Sequence, residues 1–534
     1  MKTMPRYRQY KILLVCLFGL LVLLFAWNCD DAYHGFVMSR NLANGNGFVY
    51  NAGERVTAST CPLFSILLGV LGIVCKNYVF LSFAVCTAFS TAAFAVIVFR
   101  LCKKPWQDVM LFFLLIASYS FFSYTTAGLE NCLLFFLEAL YLSMLLTREK
   151  YDARRLVYMA LLCAAVLLTR IDAGIILFFS TAYCFLKKRG CGFFKMIGAG
   201  VLGLLPFAAW EVFSVLYYGA FFPNTYYIKK NTGFPLGMYL RNGALYLAVS
   251  ELFDVILGVV IVLAVLFMLR SKQGRLLCLA LGMAIKTVYI VWIGGDFMLG
   301  RHFSDMYFMA AVVLLSLCGG EDVEKARILH VPLRRALAFG LCLCVCLTLM
   351  LRSVFVTGFI DNDHFADEKL FYSRTQSITS IVKGRLLHDS DVTTKTWGAD
   401  RKVVKRSIEA GYRGDYFDWA GGELVYEFND GFYMTDKYGL GDPLLSHLPA
   451  VPVKPRDFKT GHMYRQAPAG YRESVRTGEN RIEDESLHEY FDIVCYVTRG
   501  AFWDVQRMRT AVGLALGRYD GLVNEYLAHI SDQT

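Results

Sequence analysis

Charge is scarce in this chain. Only 18% of its 534 residues are Asp, Glu, Lys or Arg, while 56% are hydrophobic and the mean hydropathy is +0.44. A soluble chain of this length carries more charge. The scarcity excludes an ordinary soluble multidomain protein and points to a polytopic membrane protein. Familiar catalytic signatures are missing too. There is no HExxH, no GxSxG, no glycine-rich loop ending in Gly-Lys-Ser/Thr, and no CxxC pair with metal spacing, which sets aside the chemistries those motifs carry. No internal repeat and no low-complexity segment is present. The long polar C-terminal region holds one cysteine, Cys495, and cannot carry an internal disulfide. The net charge of +10 does not imply nucleic acid. The basic residues fall in short loops between apolar runs, not along a stripe interleaved with aromatics.

What is present is a series of apolar runs. Eleven read as spans: 10–28, 77–100, 107–124, 131–147, 156–168, 173–186, 193–217, 245–270, 276–293, 303–318 and 336–355. The basic stretch from Lys2 to Lys11 precedes the first run. With no small-x-small cleavage site after Trp27, it reads as an uncleaved span, not a signal peptide. Five basic loops mark the cytoplasmic side: Lys103-Lys104; Arg148, Lys150, Arg154 and Arg155; Lys187-Lys188-Arg189; Arg270, Lys272 and Arg275; and Lys325, Arg327, Arg334 and Arg335. All five share one side if the apolar stretch 63–74 is re-entrant or juxtamembrane and does not cross. That places the N-terminus inside and the C-terminus outside. The expected organisation is a transmembrane part, 1–356, whose first outer loop, 29–76, includes the juxtamembrane helix. An extracytoplasmic α/β domain, 357–534, follows; turn signals such as Asn429-Asp430-Gly431 and Pro468-Ala469-Gly470 are frequent in it. Most of the 16 cysteines lie in apolar runs and act as small hydrophobes. Cys29 and Cys61 bracket the first outer loop and could pair in an oxidising compartment; two unpaired cysteines are the stronger reading.

Opposite the basic loops, the motif-like loops share one face. They are Asp30-Asp31, Gly128-Leu129-Glu130-Asn131, Arg170-Ile171-Asp172, Phe222-Pro223-Asn224-Thr225-Tyr226 with Lys229 and Lys230, and Gly294-Gly295-Asp296-Phe297-Met298 with Arg301 and His302. Charges near lipid are costly, so such residues are functional candidates. Asp30 and Asp31 suit general-base work; a helix-end cap is the plain alternative. Arg170, Lys229, Arg301 and His302 suit a phosphate attached to lipid. Glu130, Asp172 and Asp296 suit sugar hydroxyls, or hold those cations. For Arg55 and Lys230 contact with lipid headgroups is the better reading. Gly45, Gly47 and Gly53, set among Asn44, Asn46 and Asn51, let the first loop fold back over a cavity.

Asp30-Asp31-Ala32-Tyr33, Arg40-Asn41-Leu42-Ala43, Gly45-x-Gly47-Phe48-Val49-Tyr50-Asn51-x-Gly53-Glu54-Arg55-Val56 and Thr60-x-Pro62-Leu63 resemble the first outer loop of one family. It is the membrane glycosyltransferases of the C superfamily (GT-C), in the branch of arabinofuranosyltransferases that finish actinobacterial cell-wall arabinan. Gly128-Leu129-Glu130, Leu168-Thr169-Arg170-x-Asp172, Pro223-Asn224-Thr225-Tyr226, Gly294-Gly295-Asp296-Phe297-Met298 with Arg301, Tyr438-Gly439-Leu440-x-Asp442-Pro443, and Gly461-His462 to Gly470-Tyr471 match it as well. The chain departs from the pattern at His34-Gly35, where the family commonly has Ile-Ser, and at Ile171, where it often has Pro. The resemblance implies a polytopic α-helical GT-C-like fold in a bacterial cytoplasmic membrane. It implies transfer of a sugar, arabinofuranose in this branch, from a polyprenyl-phosphate donor to an envelope glycan or glycolipid. The catalytic carboxylate would be Asp30 or Asp31. Tyr33, Arg40, Asn224 and Tyr226 would join Glu130, Asp172 and Asp296 in binding sugar or acceptor. No cofactor is required, since a monophosphate donor is served by protein cations; a divalent metal stays open. The alternatives are a glycolipid transporter or flippase, and a non-catalytic component of envelope or flagellar-pole assembly.

Overall fold

The computed structural model describes residues 4–147, 151–187, 192–319, 327–328, 331–332, 340, 342–350, 365–386 and 398–531. Half of the last expected span, 336–355, lies outside these residues, as do Arg148, Lys150, Lys188, Arg189, Lys325, Arg334 and Arg335. The structure is 71% helical. Among the described residues four helices, Arg6–Leu24, Tyr78–Arg100, Phe193–Tyr218 and Gly274–Trp292, are long and apolar enough to cross a membrane; a fifth candidate is a bent pair. Along Phe193–Tyr218, Phe194 is 86% exposed and Val201 64%. Large apolar side chains laid bare along a whole helix suit a lipid solvent, not water. The chain is a helical membrane protein. It divides into two compact units that interleave in sequence: residues 1–28, 82–207 and 235–380, and residues 29–81, 208–234 and 381–534.

In the first unit two expected spans are interrupted. The run 107–124 forms a helix Pro105–Ala117, an extended residue Ser118, and a short helix Tyr119–Ser123. The run 245–270 forms parts of two helices, Leu236–Phe253 and Val255–Ser271, bent by 103° at Asp254. The expectation of one continuous helix there is corrected, and the reason is a buried polar contact with a segment distant in sequence. A buried carboxylate needs donors, and a continuous helix offers Asp254 none. Its Oδ2 accepts from Ser118 Oγ at 2.7 Å and from Ser120 N at 2.8 Å. Ser118 Oγ in turn accepts from Phe121 N at 3.1 Å and caps the short helix. Each break supplies what the other lacks. Ser118 and Asp254 are both fully buried, and only inside protein is such irregular backbone tolerated at membrane depth.

The second unit is built from three stretches of chain around one core. Helix Asp30–Ala43 packs on helix Pro62–Gly72, with Ser39 Oγ donating to Ser65 O at 2.8 Å. The latter has 11 residues, a length of about 16 Å, too short to cross a bilayer alone. The residues just beyond it are bare: Ile73 is 64% exposed and Val74 91%. The loop between these helices turns at Gly47 (φ 90°), where any Cβ would strike the Tyr217 hydroxyl. Asn51 then acts as a surrogate strand partner. Its amide donates to Met434 O and its oxygen accepts from Met434 N, both at 3.1 Å. Met434 belongs to strand Tyr433–Asp436, which pairs in parallel with Gly414–Phe417. Val37, Met38, Phe48 and Tyr50 share a core with Val404, Phe417, Leu424, Val425 and Met434. The first loop and the C-terminal residues fold as one body.

Candidate functional site

The first unit holds a buried ionic cluster. Helix Ala153–Thr169 starts at Asp152, which caps Arg155 N at 2.9 Å, and ends where Arg170 turns extended (φ −154°). Glu130 immediately precedes helix Asn131–Thr147. After Gly274–Trp292, Gly294 and Gly295 at φ 85° and 70° swing the chain round to Asp296, and one 3-10 turn presents Arg301 and His302. These turns bring six sequence-predicted residues together. Arg170 grips Asp172 with Nε and Nη2, both at 3.0 Å, and reaches Glu130 with Nη1 at 3.2 Å. Arg301 Nη2 donates to the same Glu130 oxygen at 3.0 Å, and its Nη1 is 3.8 Å from Asp296. His302 bridges Asp172, 3.2 Å from Nδ1, and Asp296, 3.4 Å from Nε2. Nδ1 also lies 2.9 Å from Arg170 Nη2. Arg170 can only donate, so Nδ1 accepts there, which leaves Nε2–H to face Asp296.

Burial works to raise the carboxyls of Glu130 and Asp172, but their cations outweigh it. Arg301 and Arg170 hold Glu130 below the usual carboxylate range, and Arg170 and Lys286 hold Asp172 well below it. Burial likewise lowers Arg170, and Asp172 and Glu130 overcome it and raise the guanidinium. All three stay charged. Arg170 spends Nε, Nη1 and Nη2 on carboxylates, so it organises Glu130 and Asp172; Arg301 and His302 stand next to it at the same carboxylates. Sequence reasoning missed Lys286 and Asp305. Lys286 is fully buried on an apolar helix, bonds Asp305 and lies 3.6 Å from Asp172. A lone lysine inside an apolar run was the available signal. Glu138 was missed as well; it is fully buried and neither carboxylate oxygen is hydrogen-bonded.

The second unit holds the Asp pair. Asp30 accepts from Gly422 N at 2.7 Å and from Glu423 N at 3.1 Å. It caps helix Gly422–Phe428, whose own N-cap Gly421 has no side chain to offer. Asp31, the next residue, is half-buried. One turn on, His34 Nδ1 lies 2.8 Å from the Tyr50 hydroxyl. Asp436 accepts from the backbone N–H of Ala420, Tyr438 and Gly439 at 3.2, 3.0 and 3.2 Å. Burial still pushes its carboxyl up to about 6, with His34 pulling it down. Glu423 is pushed up to about 7, by burial first, against Arg401. Tyr33 is buried edge-to-face on Tyr426 at 5.6 Å, and its phenol is raised by burial, then by Glu423 and Asp30. Arg40 donates to Tyr426 O at 2.7 Å and sits over that ring at 4.7 Å. Asn224 donates to Asp442 O at 2.8 Å; Tyr226 and Lys229 follow it on helix Asn224–Lys230. Trp419, Tyr438, His462 and Tyr464 add a group of partly exposed rings, with centroids 5.2–6.4 Å apart. Two of the resemblance motifs, at Tyr438 and His462, meet there.

Among the described residues no three His, Cys, Asp or Glu side chains form a metal-ligand set. No protein-family model, no curated protein and no solved structure matches this chain.

Proposed function

We propose that the protein is an inverting membrane glycosyltransferase of the GT-C kind. It moves a sugar, arabinofuranose by resemblance, from a polyprenyl-phosphate donor to a glycan or glycolipid on the outer face of a bacterial cytoplasmic membrane. The observation that carries this reading is the division of labour in the Asp pair. Asp30 caps helix Gly422–Phe428 through two backbone N–H groups, and Asp31, equally half-buried, lies one turn before the His34–Tyr50 pair. In the reaction Asp31 takes the proton of the acceptor hydroxyl. The hydroxyl oxygen bonds to the anomeric carbon, and the bond to the polyprenyl phosphate breaks with inversion. Within the second unit Lys229 offsets the charge on the leaving phosphate. For the first unit, taken by itself, Arg170 holds Glu130 and Asp172, and these with Asp296, Arg301 and His302 make a set that suits a sugar phosphate. The reading includes eleven spans, with 63–74 not crossing, and a C-terminal segment outside the cytoplasm.

The test is product formation by the purified protein in lipid nanodiscs, with a panel of labelled polyprenyl-phosphate sugars. Product from the wild type and none from Asp31→Asn supports the proposal; no product from any donor sinks it. One observation favours a second reading, a glycolipid transporter. The helices broken at Ser118 and Asp254 are of the discontinuous kind that build transporter sites. Flipping of a fluorescent glycolipid in proteoliposomes, unaffected by Asp31→Asn, would favour it.

A further inference from the structure

Three residues of the second unit, His34, Tyr50 and Asp436, have no part in the reaction as written above. His34 is one of the two places where the chain departs from the family pattern. It lies three residues after Asp31 on helix Asp30–Ala43, on the same helical face, with Cβ atoms about 5–6 Å apart. Its Nδ1 lies 2.8 Å from the Tyr50 hydroxyl. That hydroxyl is fixed from behind. Tyr50 N donates to Val56 O at 3.0 Å, Tyr50 O accepts from Asn41 Nδ2 at 3.0 Å, and Gly441 has no Cβ because the Tyr50 ring fills its place. Tyr50 is buried, and the negative charges of Asp436, Asp30 and Asp31 all act on its phenol. Asp436 is held by its three backbone donors; its charge acts on Tyr50, Tyr416 and Tyr438, and that of His34 acts on it. A general base must lose its proton before the next turnover. Here a phenol, an imidazole and a carboxylate stand in one electrostatic neighbourhood with the Asp pair, and His34 is partly exposed to bulk water.

Resting on the transferase reading, we propose that Tyr50 and His34 form a proton relay that regenerates Asp31, with Asp436 as the counter-charge of the imidazolium. The protonated Asp31 gives its proton to Tyr50 Oη, and the phenolic proton passes to His34 Nδ1. Asp31 is again a carboxylate, Tyr50 is again neutral, and the His34 imidazolium loses a proton to water. Nothing is oxidised or reduced, and one proton leaves per sugar transferred.

The relay and the transferase reading fail separately. If both hold, Asp31→Asn is inactive, while His34→Gln and Tyr50→Phe lower kcat roughly tenfold or more and leave the donor KM unchanged. Imidazole in the buffer restores His34→Ala, which a packing role would not permit. A readout without turnover is the Asp436 carboxyl, followed by ¹³C NMR of labelled Asp with Asp436→Asn as the assignment control. Removing the His34 cation should move its titration up from about 6. Wild-type kcat in His34→Gln and Tyr50→Phe, beside a dead Asp31→Asn, overturns the relay alone. An inactive His34→Ala that imidazole does not rescue, with Asp436 unmoved, also overturns it. A fully active Asp31→Asn overturns the transferase reading.

Discussion

Replacing Asp30 should separate architecture from chemistry. Its two oxygens accept from Gly422 N and Glu423 N at 2.7 and 3.1 Å, so Asp30→Ala strands two donors at a helix start. A hydrogen bond to a charged group is worth about 1.5–3 kcal/mol, which sets an upper bound of about 3–6 kcal/mol for the pair. Two features lower it. Asp30 is only partly buried, so water reaches the vacated site, and Glu423 loses a like-charge neighbour. We expect a loss of about 1.5–3 kcal/mol for Asp30→Ala. Asp30→Asn keeps one carbonyl acceptor and should lose about 0.5–1.5 kcal/mol. Thermal unfolding in detergent and limited proteolysis near residue 422 measure both. Turnover per folded molecule should stay near normal in Asp30→Asn, whereas Asp31→Asn should lose about 10²- to 10⁴-fold. An Asp30→Asn protein that is fully stable yet inactive would refute the reasoning.

Four further expectations follow from the same geometry. Arg170→Ala leaves Glu130 and Asp172 as buried charges with a cation removed, and should cost about 3–5 kcal/mol; Arg170→Lys, lacking the planar fork, should recover only part in chemical denaturation. Glu423 and Asp436 have carboxyls raised to about 7 and about 6, so their contribution to stability is full at acid pH and is lost as pH rises through those values; at about 1.4 kcal/mol per unit the effect is a few kcal/mol, and Glu423→Gln should flatten part of that loss in a pH series of melting curves. Truncation before 381 removes Val404, Phe417, Leu424 and Met434 from the core that holds Val37, Phe48 and Tyr50, so amide exchange along helix Asp30–Ala43 should accelerate; unchanged protection would contradict the shared core. Reporter fusions after Lys104 and after Asn224 should report opposite sides of the membrane, and an external Lys104 would overturn the proposed span count.

Much of the helical scaffold was legible because hydropathy is a local property. The expected run 131–147 coincides with helix Asn131–Thr147, and 77–100 and 193–217 each lie within a residue of Tyr78–Arg100 and Phe193–Tyr218. The breaks at Ser118 and Asp254 were not, since one serine or one aspartate barely lowers the mean hydropathy of a run. Their cause is a side-chain bond across 136 residues of sequence. The gathering of Glu130, Arg170, Asp172, Asp296, Arg301 and His302 was anticipated from loops on one face. Two further members, Lys286 and Asp305, lie inside apolar runs where loop reasoning does not look. The Asp pair was singled out as two residues with different jobs, and the structure gives Asp30 the helix cap. Which one is the cap was invisible, because the N–H groups that Asp30 caps lie 392 and 393 positions away.

The bond between Ser118 and Asp254 also sets a timetable for synthesis. The earlier segment reaches the membrane with an interrupted helix and a backbone N–H at Ser120 that needs an acceptor. That acceptor is translated 136 residues after Ser118. At about 5–20 residues per second the gap lasts roughly 7–27 s, during which the ribosome, the insertion machinery or lipid-interface water must tend the unfinished segment. Chains halted before residue 254 should keep residues near 118 open to thiol-specific labelling, and chains halted well past it should close them. Asp254→Leu, which suits the bilayer better as a single residue, should prolong that exposure.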